Sequence, residues 1–381
     1  MPDHRWSHTA DEEHYQATGY AIFDSCWSIQ QAKSDDSPAP LILATQNIPT
    51  NFAVMTTMVA GAIVCRINMS KVIYMKLFDF FRPSSNVESS SELHKIANEK
   101  ILASLLVMAW VVEARDPYTG GHLWRVSRYA RLLADHAGLP QVDAARVMIG
   151  GFLHDLGKVG IPDAILNKKD KLTDEEYDVI KTHPEVGRRM LSGHPFSALA
   201  LDAVFLHHET PDGRGYPNGL GLDKIPDVAR IVGICDAFDA MTSTRPYRSG
   251  MPVDRAMRII EENLGRQFDQ KFGALFIELQ THPDLLHIVG HTDSGIPLQN
   301  CGMCGPTVVL QRNSKPGDIA YCRCCTGEYT VQRTEGGFHI APTGAKGNAL
   351  QLETRPDEFV IGDLVTESAN IINLGGLMQA S

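Results

Sequence analysis

Long apolar runs are missing from this 381-residue chain, and so is any excess of positive charge. The most apolar stretch, FAVMTTMVAGAIVC at 52–65, stops at Arg66 after 14 residues. A membrane helix needs about 20, so a core helix or strand is expected there. The formal net charge of -10 argues against non-specific nucleic-acid binding through bulk charge. An anionic substrate would have to meet a locally positive site built from metal ions or a few Arg and Lys. The N-terminus, MPDHRWSHTADEEHY, lacks the basic start and apolar run of a secretory signal, so a cytoplasmic location is expected. No internal repeat is found, and residues 1–82 carry no motif that can be interpreted.

What is present is an ordinary globular composition, 43% hydrophobic and 21% charged. A Ser-rich patch separates residues 1–82 from the rest, and residues 83–92 read as a linker or helix entry. From Leu93 onward, Leu93, Ile96, Ile101, Leu105, Met108 and Val112 recur at helical spacing. A second helix is expected from about His122 to His136, stopped by Gly138. A third, within AARVMIGGFLHDLGK, places His154 and Asp155 near its C-terminal end. Thr173 and Glu176 form a capping-box pattern for the next, which should end before Pro184. Further helices are expected at 196–208, 227–243, 253–264 and 269–280. Long alternating strands are absent from 93–281, so this part reads as mainly α. After about 282 the character changes to Gly, Pro, Cys and short β-branched runs, which marks another module.

Polar residues suited to metal chemistry recur along the helical part. They are His122, His154–Asp155, His183, the adjacent pair His207–His208, and Asp236. Imidazoles and carboxylates suit iron, manganese or zinc, and several helices of a bundle can surround a two-metal centre. Asp155, beside His154, is placed to bridge two cations. The ten other histidines are scattered and read as surface or hydrogen-bonded residues. Two adjacent side chains on a helix diverge by about 100°, so His207 and His208 can share a site only off a helix end.

Three blocks, HDLGKVGIPDAIL (154–166), HHETPDGRGYPNGLGLDKIPDVARI (207–231) and DAFDAMTSTRPYR (236–248), resemble the HD-GYP subgroup of HD-superfamily metal-dependent phosphohydrolases. The likeness covers roughly residues 93–281. It implies an HD-type helical bundle and a phosphodiesterase that opens the bacterial messenger cyclic di-GMP to linear pGpG, and on to GMP in some members, by attack of a metal-bridging hydroxide. It also implies that His122, His154, Asp155 and Asp236 form the shared quartet. His183, His207 and His208 would hold the second metal, with Asp155 bridging; iron or manganese is the expected pair. Some members bind a third metal through a Glu four residues before the first histidine. Tyr118 stands there, and a phenol with a pKa of about 10 is a poor ligand. Two metals are therefore expected; Glu113 and Asp116 lie nearby at non-matching spacing.

Lys158 is the first candidate for a catalytic and phosphate-contacting cation, followed by Arg245 and Arg248. Tyr216 could face guanine or hydrogen-bond within its loop. Gly213 and Gly215 are expected to supply unusual backbone conformations, and Asp212 to pin the turn. Asp239, one turn after Asp236, could orient a ligand or a phosphate-binding Arg, or form a surface ion pair. The alternatives left open are a cyclic-dinucleotide receptor or adaptor without turnover, and a phosphohydrolase of another cyclic dinucleotide or nucleotide.

Eight cysteines include five between 301 and 325. Cys301, Cys304, Cys322 and Cys325 have the C-x2-C…C-x2-C spacing of a closed, structural zinc site. Cys324 is the spare; Cys26, Cys65 and Cys235 read as buried thiols. The region resembles a zinc ribbon, expected at 301–340 between a 282–300 linker and a 341–381 tail. Four basic against two acidic residues between 301 and 333 argue against nucleic acid as a partner. A protein partner through this module or the N-terminal region is the alternative to a scaffold role.

Overall fold

A computed structural model describes residues 90–116, 120–168, 170–244, 249–335, 337–353 and 355–372. The expectations for residues 1–82, most of the 83–92 linker, Tyr118, Arg245 and Arg248 fall outside the described residues.

The helical part opens with α1 (Ser90–Glu113), α2 (His122–His136) and α3 (Gln141–Leu153). Gly138, at φ +70°, stops α2 as its sequence suggests. Nearly every residue of α3 from Ala144 to Leu153 is buried, so this helix forms the centre of the bundle. A 3-10 turn (Leu156–Gly160) and the short α4 (Asp163–Leu166) lead to α5 (Asp174–Ile180). There Thr173 accepts from the Glu176 backbone N–H, and the Glu176 side chain returns to the Thr173 N–H, completing the capping box.

Pro184 does not merely end a helix. It sits in the first turn of α6 (His183–Leu191), where a missing N–H costs no intrahelical bond. Then follow α7 (Ser197–Leu206), α8 (Asp227–Thr242), α9 (Val253–Glu262) and α10 (Gln270–Glu278). Like α3, α8 is buried along most of its length.

The expected 282–300 linker is structured. Within it α11 (Pro283–Ile288) contributes Leu285 and Ile288 to the helical core. The strands β1 (His291–Asp293), β2 (Ile296–Pro297) and β3 (Gln299–Cys301) follow, so the β-module begins earlier than 301. With β4 (Gly305–Val308), β5 (Ile319–Tyr321), β6 (Gly327–Thr334) and β7 (Gly337–Lys346) it forms three antiparallel sheets, β1-β2, β3-β4 and β5-β6-β7. Val308, Leu310, Tyr329 and Val331 fill its own small core.

Nor is 341–381 a tail throughout. Residues Glu358–Ile371 form α12, capped by Asp357, whose side chain accepts from the Phe359 and Val360 N–H groups. Val360, Ile361, Leu364 and Val365 join the helical core. Glu367 receives Arg128 at 2.7 Å and Arg131 at 3.1 Å, both from α2. The apolar pairs spaced four apart carry this helix, a period obscured by the Gly- and Pro-rich segment before it. Among the described residues no helix is long and apolar enough to cross a membrane.

Leu364 is fully buried at this α12 contact. Leu364→Ala should lower unfolding stability by roughly 2–4 kcal/mol, measured by urea denaturation; a change near zero would show that α12 is not part of the core.

Candidate metal centre

Six of the seven candidate ligands stand at helix boundaries. His122 opens α2, His154 and Asp155 follow the last residue of α3, His183 opens α6, and His207 and His208 follow the last residue of α7. Only Asp236 lies inside a helix, α8. At an end the chain turns out of the helical path, so neighbouring side chains can point the same way. The His207 and His208 ring centroids are accordingly 3.9 Å apart. All seven residues are buried, none more than 8% exposed.

They gather as two lobes about Asp155. Its Oδ2 lies 3.5 Å from His122 Nε2 and 3.2 Å from His154 Nε2, and Asp236 Oδ1 is 3.4 Å from His122 Nε2. Its Oδ1 turns the other way, 3.6 Å from His183 Nε2. His183 Nε2 in turn lies 3.4 Å from His207 Nε2, and His183, His207 and His208 form a ligand-spaced group of their own. Close packing makes this possible. A Cβ on Gly157 would stand 1.8 Å from the His183 carbonyl oxygen, so only glycine lets the Asp155 turn meet α6.

The ring orientations fit cations. Nδ1 of His154, His183 and His207 each lies 2.8 Å from a backbone carbonyl oxygen, of Gly151, Ile180 and Ala203 respectively. His122 Nδ1 lies 2.8 Å from Asp239 Oδ2. A carbonyl can only accept, so Nδ1 carries the proton and a neutral ring presents its Nε2 lone pair to the centre. Lone pairs facing at 3.3 Å, as between His122 and His154, and beside two carboxylates, call for a proton or a metal ion between them.

The electrostatics of the two lobes differ. Burial would raise the Asp155 carboxyl, but His154 and Lys158 override it and hold it well below its ordinary range. Burial likewise opposes charge on His154, yet the Asp155 and Asp236 carboxylates lift it to about 10. His122 is raised against burial by hydrogen bonds to Asp155 and Asp239. In the other lobe burial wins: His183 falls to about 4, His207 to about 3, and His208 well below its ordinary value. The carboxylates of the first lobe therefore favour a charged His154, whereas burial in the second favours neutral imidazoles.

Lys158 Nζ donates to Asp155 Oδ2 at 2.6 Å, which brings its ammonium to the edge of the centre. The Tyr216 ring stacks on His208, centroids 4.6 Å apart. Of the loop glycines, Gly213 has φ +73°, whereas Gly215 is required by space: a Cβ there would stand 2.4 Å from the His208 carbonyl oxygen. Asp212 pins the turn by accepting from Thr210 Oγ1 and the Arg214 N–H. Asp239 is no surface residue; it is buried against His122 and Arg125. Glu113 Oε1 accepts from the Leu123 N–H, and burial raises this carboxyl to about 7.

Two residues escaped the sequence argument. Arg125 is fully enclosed and pairs with Asp239 at 2.6 Å; its signal was its place one turn after His122 on the same helix face. Glu209 is buried and accepts from the Asn218 and Leu220 N–H groups at 2.7 Å, closing the loop behind His208. Its position directly after the paired histidines was the available clue.

The four cysteines meet as well. The Sγ atoms of Cys301, Cys304, Cys322 and Cys325 all lie within 4.8 Å of one another, at the β3–β4 and β5–β6 turns. Hydrogen bonding by Cys324, against burial, draws the Cys322 thiol down to about 3. Tyr329 donates its hydroxyl to Cys301 Sγ at 3.0 Å, which helps lower that thiol too, while burial raises Cys304 and Cys325. Cys324 stands outside the group.

Comparison with known proteins agrees with the helical half. Cyclic di-GMP phosphodiesterase response regulator RpfG of Xanthomonas campestris pv. campestris is 39% identical over 175 residues, 45% of this chain and 46% of that protein. The 3'3'-cGAMP-specific phosphodiesterase 3 of Vibrio cholerae serotype O1 is 40% identical over 176 residues, 46% and 38% respectively. A cyclic di-GMP phosphodiesterase of Thermotoga maritima is 36% identical over 197 residues, 51% and 54%. The chain spans about half the length, or less, of these relatives. The HD domain family model matches residues 106–272, which hold all seven gathered side chains, so the likeness to known proteins lies over the helical part that carries the site.

Proposed function

We propose that this chain is a metal-dependent phosphodiesterase that opens cyclic di-GMP to linear pGpG, with two divalent cations, iron or manganese, in its HD domain. The observation that carries the proposal is the division of Asp155, one carboxylate oxygen turned to each lobe. His122, His154 and Asp236 would hold one cation with Asp155 Oδ2, and His183, His207 and His208 the other with Oδ1. When bound, such a pair supplies Lewis acidity at a phosphate and a water ready to attack at neutral pH.

The chain's own groups do the rest. Nδ1 anchoring fixes His122, His154, His183 and His207, and the Tyr216 ring stacks against His208. Lys158, a quarter of its side chain exposed, can pass from Asp155 to a non-bridging phosphate oxygen as charge grows there. Arg245 and Arg248 are proposed, from sequence alone, to clamp the same phosphate. Four thiols at one point with C-x2-C spacing support a structural zinc at Cys301, Cys304, Cys322 and Cys325.

A second substrate is favoured by one observation: the Vibrio cholerae relative, at 40% identity, is named for 3'3'-cGAMP. Phosphate-directed groups do not choose between guanine and adenine, so both dinucleotides belong in the assay.

The metal-loaded 381-residue chain should linearise one or both, followed by chromatography. His154→Ala or Asp155→Ala should cut kcat/KM by about a thousandfold or more. Tight binding with no turnover by the metal-loaded protein would instead mark a receptor.

Metal loading should also release protons. At pH 8 His154, lifted to about 10, is protonated without metal and must lose that proton to ligate, whereas His183 and His207 are already neutral. Adding manganese to metal-free protein should release about one proton from His154, and affinity should climb as pH rises toward 10. Affinity independent of pH between 7 and 9, read by competition with a fluorescent chelator, would contradict the assignment.

A further inference from the structure

His122 is held differently from its partners. His154, His183 and His207 are oriented by carbonyls three or four residues back in their own chain segment. His122 is oriented by Asp239, which is held by Arg125, and Arg125 reaches out of the helical bundle altogether. All five guanidinium N–H groups have places: Nε and Nη2 on Asp239 at 2.6 and 3.0 Å, Nη2 also on Ser243 Oγ, and Nη1 on the carbonyls of Gly120 and His291. His291 opens β1 of the cysteine-bearing module.

Other contacts lock that module to the turn before His122, to the end of α1 and to α12. A Cβ on Gly121 would stand 2.7 Å from Thr292 Cα, and one on Gly120 2.6 Å from Val309 Cγ2. Arg323, between Cys322 and Cys324, donates to the Ala114 carbonyl at 3.3 Å. Arg312 joins Asp293 of β1, at 2.8 and 2.7 Å, to Asp363 of α12.

We propose that the β-module is a positioning element for the cation lobe of His122: through the His291 carbonyl and the packed Gly120–Gly121 segment it fixes Arg125, hence Asp239 and the His122 ring. A zinc ion at the four cysteines keeps the module folded, so ion loss there loosens the His122 lobe and leaves the His183–His207–His208 lobe intact. Without the module a buried guanidinium N–H loses its acceptor, and Arg125 must shift to find water. The inference rests on the proposed dinuclear centre and cysteine-bound zinc.

The test uses the 381-residue chain and its Val309→Asp/Arg312→Ala variant, which alters the docking face and touches neither ligand set. Manganese and zinc per chain are measured by elemental mass spectrometry, and manganese pairing by electron paramagnetic resonance. The variant should keep its zinc and its helical circular dichroism, while one manganese binds about tenfold more weakly. At limiting manganese its spectrum should change from a coupled pair to an isolated ion. A zinc-free Cys301→Ser/Cys304→Ser variant, if folded, should do the same; if it does not fold, the docking variant decides. Two manganese ions of unchanged affinity and an unchanged spectrum in the docking variant overturn the inference. Unaltered protein that binds no manganese pair overturns the proposed function with it; a manganese pair without zinc overturns the inference alone.

Discussion

Two carboxylates buried among five imidazoles form the constraint that organises this molecule. Taking Asp155 and Asp236 out of water costs several kcal/mol per ion unless positive charge accompanies them. The helices answer by bringing histidines from four separate segments to the same point, with charge favoured on His154 in one lobe and neutral rings favoured in the other. The local chain follows from that demand. The histidines gather at helix ends, where adjacent side chains can converge, Gly157 removes the bulk that would keep the Asp155 turn from α6, and Glu209 ties down the loop behind His208.

The two lobes draw their rigidity from different sources. Three histidines are fixed by their own local backbone, so their orientation is secured as soon as a helix end forms. His122 depends on an ion pair between α2 and α8, Arg125 with Asp239, and on a carbonyl from β1. Its geometry is therefore a property of the whole tertiary arrangement rather than of one segment.

That difference also explains what could be seen in the amino-acid order alone. Helix boundaries announced by local chemistry, such as the Thr173–Glu176 box and Gly138, were legible to within a few residues, as were the histidines and aspartates with fixed spacing. Pro184 was legible as a breaker and not as a first-turn residue, since both roles share one letter. Arg125 could not be assigned, because its partners lie 114 and 166 positions away. The helix of Glu358–Ile371 was missed because a short apolar period counts for little until a core is there to receive it. Asp239 left two roles open, and only its burial against His122 separates them.

The placement of α12 has a bearing on biosynthesis. The helical core needs Val360, Ile361 and Leu364, yet these follow the entire β-module in the chain. A nascent polypeptide on the ribosome must therefore hold α1–α11 with an open apolar seam while the cysteine-bearing strands are still being made. Only when Glu358–Ile371 has left the exit tunnel can that seam close.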